Sequence, residues 1–453
     1  MSAAGPTQGA RPLGGGGAER RFGGAPSAAG PPQGARPLGG GGAERRIGGT
    51  SVELFGTAFD PGAPADAIAL RAYRRNRLRT ALASHDLAAI VLFNPINIRY
   101  ACDARNMQVY GLHNPCRYVC ATADGHTTLF DFRNCEHLSR HLETVDEIRP
   151  AKAWYHMSAG PNTPSVARAF AREIAALVHE RCGGGNRIAY DRIDSAGAAA
   201  LAAEGLVALD GLALLDFARA IKSADEIKAM CDAIRTCEEG MRRMQAAHRP
   251  GITEQALWSM LVQANAELGG EWMETRLLSA GARTNPWYNE CGDHVIAPGD
   301  LVSFDTDLIG RHGYSVDLSR SWLTSGARAT DDQRRLYALA HAQVHHNIGI
   351  LKPGRTFREI AEVAYRLPET LVPQMNRAIA HGIGLCNEYP LIVNREYVDG
   401  AYDGVLHEGM VLCVESYVGE RGGREGVKLE EQVLITASGA VKLSSFPFDD
   451  ALL

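Results

Sequence analysis

The sequence predicts two folded domains, a smaller α/β unit followed by a larger α+β unit, on three observations. The chain has 453 residues, beyond the size at which one hydrophobic core usually stops growing. Strand, helix and strand patterns alternate up to about residue 217. From residue 223 onward, long helical patterns interleave with hairpins instead, as expected where helices cover one face of a largely antiparallel sheet.

Composition narrows the class further. The apolar fraction of 45% is ordinary for a soluble globular chain, and a net charge of -5 gives no electrostatic reason to expect nucleic acid or an anionic membrane as partner. Ten cysteines fall without CxxC pairs or zinc-finger spacing, and they are read as reduced thiols of a cytoplasmic protein. No apolar run approaches the length that spans a bilayer, so no membrane role is expected.

Residues 2–24 repeat almost unchanged at 27–49, with Thr7 replaced by Pro32 and Phe22 by Ile47. Four-glycine runs and prolines bury too little apolar surface to offset ordering entropy, so residues 1–50 are expected to be disordered. The α/β domain is placed at 51–222. Its first helix, near 65–85, carries Arg74, Arg75, Arg77 and Arg79, a basic face expected to be solvated or to meet a partner. A buried strand at 88–93 ends at Asn94-Pro95, and a hairpin at 117–132 turns on Asp124-Gly125. Thr163 is expected to cap a helix that starts with Pro164 and leaves through Cys182-Gly183-Gly184.

The α+β domain is placed at 223–453. Ser223 and Glu226 form a capping box, followed by Ile227, Met230, Ile234, Met241 and Met244 at helical spacing. A second helix follows Thr253. Further boxes at Thr330/Gln333 and Thr356/Glu359 open two more helices.

Between these helices lies 301–323, LVSFDTDLIGRHGYSVDLSRSWL, where strand alternation puts Asp305 and Asp307 on one face and a hairpin turning at 311–313 returns Asp317 beside them. Three converging carboxylates repel one another unless a cation sits among them. His381 follows in HGIGLCNEYP, with glycines that permit close backbone approach, and two apolar strands carry Glu415 (GMVLCVESYV) and Glu430 (GVKLEEQVLIT). Six such groups suffice for two divalent ions bridged by carboxylates. A carboxylate-rich set with one imidazole and no cysteine suits iron or manganese, with cobalt or catalytic zinc as further options.

These residues and motifs resemble the pita-bread metalloenzymes, the creatinase, prolidase and methionine aminopeptidase family, over about residues 65–450. Within it the sequence is most similar to the metallopeptidase-like dimethylsulfoniopropionate lyases, through RLLSAGARTNPWYNECG, FDTDLIG, HGIGLCNEYPL and NIRYACDARNMQVYGLHNP. The resemblance implies a pita-bread catalytic domain behind a creatinase-like α/β domain and a homodimer. It also implies metal roles for Asp305, Asp307, Asp317, His381, Glu415 and Glu430. The implied reaction removes an α-proton, expels dimethyl sulfide and leaves acrylate.

Departures from the family patterns set the remaining candidates. Peptidases of this fold place a histidine where this chain reads Asn285-Pro286-Trp287-Tyr288-Asn289, and another where it reads Asn387-Glu388. The lyases place a basic aspartate at Asn387 and a tyrosine at Asn376. An amide does not accept a proton at neutral pH, so Glu388, Asp307 or a metal-held hydroxide is left as the base beside Asn387. Trp287, Tyr288 and Tyr389 lie in segments expected around the metals and offer aromatic faces to a sulfonium or ammonium substrate. A lyase acting on a small carboxylate is the favoured expectation. A dipeptidase or creatinase-type hydrolase is the alternative, and a binding protein without catalysis the third.

Overall fold

Apolar runs and turn residues account for the layout of residues 51–453, which are the residues described in the computed structural model. The repeat expected to be disordered, at 1–50, lies outside them. In the first domain the strands line up in the order Glu147–Pro150, Thr127–Asp131, Tyr118–Thr122, Ala89–Leu92, Arg187–Tyr190, Val207–Asp210. Pairing is antiparallel across the Asp124-Gly125 hairpin and parallel where a helix makes the crossover, as in Ala89–Leu92 against Arg187–Tyr190. Both faces are covered. Phe170 and Ile174 pack on one side and Leu78 and Leu82 on the other, so the central strand Ala89–Leu92 is buried throughout.

Two local expectations change. The helix expected to be capped by Thr163 begins there and has Asn162 at its cap position, while the Thr163 hydroxyl donates back to the Gly160 carbonyl. The basic face of the helix Ala67–Ser84 is only partly solvated: Arg79 is exposed, but the other three arginines turn inward. Arg74 is fully buried 3.4 Å from Glu226, beneath the rings of Tyr314 and Tyr100, and Arg75 and Arg77 donate to the carbonyls of Gly125, Phe217 and Ala218. These arginines tie the first domain to itself and to the helix Ala224–Ala247.

Capping boxes close at Ser223, Thr330 and Thr356 in the second half of the chain. Its main sheet has five antiparallel strands in the order Asn387–Val393, Ala378–Ile383, Val411–Gly419, Gly426–Thr436, Gly439–Lys442. Helices Asp331–Ile350 and Phe357–Val363 bury one face of this sheet, where Leu412 and Val414 meet Phe357 and Ile360. The other face meets two three-stranded sheets, one formed by Leu278–Ala280, Leu301–Asp305 and Ser319–Leu323, the other by Trp272–Met273, Leu308–Ile309 and Ser315–Val316. The polar cluster described next lies between these sheets. Among the described residues no helix is long and apolar enough to cross a membrane.

Candidate metal centre

Alternation along the strands decides which side chains meet. Cross-strand partners share a face, and His381 pairs with Cys413, Cys413 with Gln432 and Glu415 with Glu430. With a side-chain period of two, Lys428 joins them on that face. The opposing wall is the aspartate hairpin. Asp305 ends its strand opposite Ser319, Asp307 follows in the turn with a φ of 36°, and Asp317 lies between the two return strands.

The hairpin thus brings Asp305, Asp307 and Asp317 together, with one carboxylate oxygen from each within 4.8 Å of the others. Asp317, His381, Cys413 and Glu430 make a second group by the same measure, and Asp317 belongs to both. Glu415 closes the set, its Oε1 lying 3.5 Å from His381 Nε2, which is also 3.5 Å from Asp317 Oδ2 and 3.6 Å from Glu430 Oε1.

Five buried or nearly buried carboxylates cannot all ionise freely at this spacing. Burial, then the charge of Asp305, pushes Asp307 up to about 7, while Thr275 Oγ1 donates to its Oδ2 at 2.5 Å. Burial and the charges of Asp305 and Glu430 carry Asp317 well above the carboxylate range, and burial with Glu415 raises Glu430. Burial opposes ionisation of Asp305 and Glu415 as well, but the Lys428 ammonium overrides it and holds both below their ordinary values. His381 moves up to about 10: burial opposes its protonation, but hydrogen bonding to Glu415 and Glu430 and their charges outweigh it.

Two oxygens test whether these residues suit a metal. Asp317 Oδ1 and Glu430 Oε1 are buried and meet no hydrogen-bond donor, an arrangement that costs free energy unless a cation takes the lone pairs. Carboxylates from facing walls with one imidazole are the donor set of a hard or borderline divalent ion, so the residues fit one. A thiol does stand beside the set, contrary to the expectation of none. Cys413 Sγ donates to the Asp317 carbonyl at 3.7 Å, and burial with the charge of Asp317 keeps the thiol well above its usual range.

Other candidates are sorted by face. Asn387 pairs with Ile383, two residues from His381, and so stays on the acidic side, exposed on the edge strand. The Trp287 ring lies 6.0 Å from that of Tyr417, tilted by 30°, and 5.9 Å from Lys428 Nζ. Tyr288, 71% exposed, lies with its ring 6.4 Å from that of Trp287 and marks the rim. Tyr389 is not at the site. A bulge between His381 and Gly382 turns it toward the helix-covered face, where it packs on Phe357, Phe217 and Tyr402.

Glu388 is a second correction. It pairs with Gly382, whose side is opposite to that of His381, and its carboxylate contacts Lys222 Nζ and lies 3.2 Å from Arg219 Nε without hydrogen-bond alignment. Arg219 also donates to Asn97 and Asp216, so Glu388 anchors the sheet to the first domain on the side away from His381. Breaking a buried pair from one side typically costs about 3–5 kcal/mol. Glu388→Gln is therefore expected to lower the urea midpoint markedly while bound metal per chain stays unchanged; an unaltered midpoint contradicts the anchoring role.

Lys428, Ser319 and Thr275 were not singled out from the sequence. Lys428 was legible, lying two residues before Glu430 and hence on its face; nothing in the sequence marks Thr275.

Comparison with known proteins follows the same two-part division. The Creatinase/Prolidase N-terminal domain model matches residues 74–226 and the Metallopeptidase family M24 model matches 228–437. The dimethylsulfoniopropionate lyase DddP of Roseovarius nubinhibens is 42% identical over 85% of this chain and 87% of that protein. Its counterpart from Roseobacter denitrificans is 38% identical over 86% and 88%. Among solved structures, a Xaa-Pro dipeptidase from Bacillus anthracis superposes with a TM-score of 0.68 at 20% identity, covering 83% of this chain and 98% of that one. At that identity the likeness speaks for the pita-bread fold alone. Identity near 40% across both domains, with the acidic centre at the heart of the second, places the chain in the M24 family of metalloenzymes, in its dimethylsulfoniopropionate lyase DddP branch.

Proposed function

We propose that this chain is a divalent-metal lyase that breaks the C–S bond of dimethylsulfoniopropionate, giving dimethyl sulfide and acrylate. The observation that carries the reading is the 42% identity to a DddP lyase across 87% of that relative. Two ions, iron or manganese, held by Asp305, Asp307, Asp317, His381, Glu415 and Glu430, would draw charge from the substrate carboxylate and acidify its α-carbon.

The protein groups do the rest. The exposed Tyr288 would offer a π-face to the sulfonium at the rim, with Trp287 buried behind it beside Lys428. A base takes the α-proton, the C–H pair becomes the C=C bond, and the C–S pair leaves with sulfur as neutral sulfide. Glu388 faces away and Asn387 is an amide. Asp307, oriented by Thr275, is thus the acceptor among the three residues singled out. We extend the reading to a homodimer, tested by light scattering of the full chain.

The rival is an Xaa-Pro dipeptidase or creatinase-type hydrolase, whose fold this chain shares. Metal-loaded protein would be offered dimethylsulfoniopropionate, creatine and Xaa-Pro dipeptides in parallel. Dimethyl sulfide without free proline or urea is expected; proline release without dimethyl sulfide overturns the lyase reading.

A further inference from the structure

Asn285 opens the loop that carries Trp287 and Tyr288, and no step of the proposed reaction uses it. Its half-buried amide is fully engaged. Nδ2 donates to the carbonyls of Glu420 at 2.8 Å and Gly423 at 2.9 Å, while Oδ1 accepts from Gln374 Nε2 at 2.8 Å. The Tyr417 hydroxyl shares its proton between Oδ1, 3.0 Å away, and the Thr284 carbonyl. Both N–H groups and both lone pairs of the amide are thereby used.

These partners are distant in sequence. Glu420 and Gly423 lie in the turn between the strands of Glu415 and Glu430, and Gln374 lies in the short helical turn Val372–Gln374 ahead of the strand of His381. The amide therefore ties the loop to the ends of the strands that bear the acidic cluster. Gly419 leaves room for it, since a Cβ there would lie 2.9 Å from Asn285 Oδ1.

Tyr288 shows what this lock holds. Its φ is 79°, a conformation that a bulky side chain keeps only where the surrounding structure imposes it. The Tyr288 side chain is largely exposed, so packing of the ring does not supply that constraint. Asn285 supplies it on one side of the loop and Asn289 on the other, where Nδ2 donates to the carbonyls of Arg283 and Pro286. Between them the buried Trp287 ring lies 5.9 Å from Lys428 Nζ and 6.4 Å from the Tyr288 ring, so the loop leads outward from the cluster through two aromatic rings.

We propose that Asn285 is a positioning residue that sets specificity, fixing Tyr288 at the rim as a preformed wall for the cationic end of a substrate whose carboxylate sits at the acidic centre. The inference rests on the lyase reading for its zwitterionic substrate. A ring ordered in advance loses less freedom on binding, so affinity for the cation follows the lock.

The test is a calorimetric titration of metal-loaded full-length protein with two unreactive carboxylates of the same shape, 3-(trimethylammonio)propionate and its uncharged carbon analogue 4,4-dimethylpentanoate. Wild-type protein is expected to bind the cation about fivefold or more tightly than the neutral analogue, within the range of a cation over an aromatic face. Tyr288→Leu and Asn285→Ala are each expected to remove most of that preference and Tyr288→Phe none of it, with bound metal per chain unchanged. Gln374→Ala, which deletes one bond of the lock, is expected to remove part of it and carries the test if Asn285→Ala does not fold. A preference that survives Tyr288→Leu or Asn285→Ala, or Gln374→Ala in its place, overturns the role of Asn285, as does loss of metal from Asn285→Ala. A wild type that releases dimethyl sulfide but binds both analogues equally overturns the inference alone. A wild type that prefers the cation but releases no dimethyl sulfide overturns the lyase reading and leaves the lock standing.

Discussion

Asn387→Asp raises the rate of dimethyl sulfide release from the metal-loaded protein by about 10²-fold or more, at the lower end of what a positioned general base contributes. The expectation rests on register. Asn387 pairs with Ile383 and so shares the face of His381, and it lies on the edge strand with its side chain exposed. A carboxylate there adds a proton acceptor that need not also serve the metals, unlike Asp307, which burial and Asp305 push to about 7. The aspartate adds little strain, being close in shape to the amide it replaces. The check is the initial rate of headspace sulfide at matched metal content. An unchanged rate means that residue 387 does not face the reacting carbon.

On the proposed two-metal reading, Asp317→Asn is expected to abolish both metal positions at once, because Asp317 is the side chain common to the two ligand groups. Removing an outer partner of a metal ligand already costs about 10–100-fold in affinity or activity. Loss of a shared ligand is expected to exceed about 100-fold on the same scale. The amide also leaves the remaining carboxylates with one less oxygen of full charge to offer a cation, and Asp317 Oδ1 is among the buried ligand oxygens that meet no donor. Bound manganese or iron per chain, measured after dialysis, is expected to fall from two to below one, with sulfide release lost in parallel. Full metal content in the variant contradicts the assignment.

How far the sequence discloses this site is clearest in particular residues. Glu415 and Glu430 stand out because a carboxylate in an apolar strand needs a partner, and the three aspartates because a hairpin brings them to one place. The same period of two that reveals Glu430 also reveals Lys428, which passes unnoticed because a lysine in a strand is usually solvated. Glu388 and Tyr389 fail for a different reason. They follow His381 closely in sequence, but strand alternation alone puts Glu388 opposite to Asn387, while the irregularity beside Gly382 turns Tyr389, and bulges carry little sequence signal. Arg74 is likewise hidden, since the pattern of four arginines reads as a wet helix face until Glu226, 152 residues away, is brought against it.

The fold was legible at coarser grain. Capping boxes at Ser223, Thr330 and Thr356 mark helix starts by a local mechanism that tertiary contacts do not override. Thr163 lacked the glutamate three residues on that completes a box, and there the cap lies one residue earlier, at Asn162.

The most direct measurement of the central claim is the product balance from one reaction. Full-length protein, stripped and then reloaded with Fe(II) or Mn(II) without oxygen, is given dimethylsulfoniopropionate while headspace dimethyl sulfide and dissolved acrylate are quantified together. The account predicts both products in equal amounts, absent from the stripped protein. Protein that retains its metal but yields neither product contradicts it.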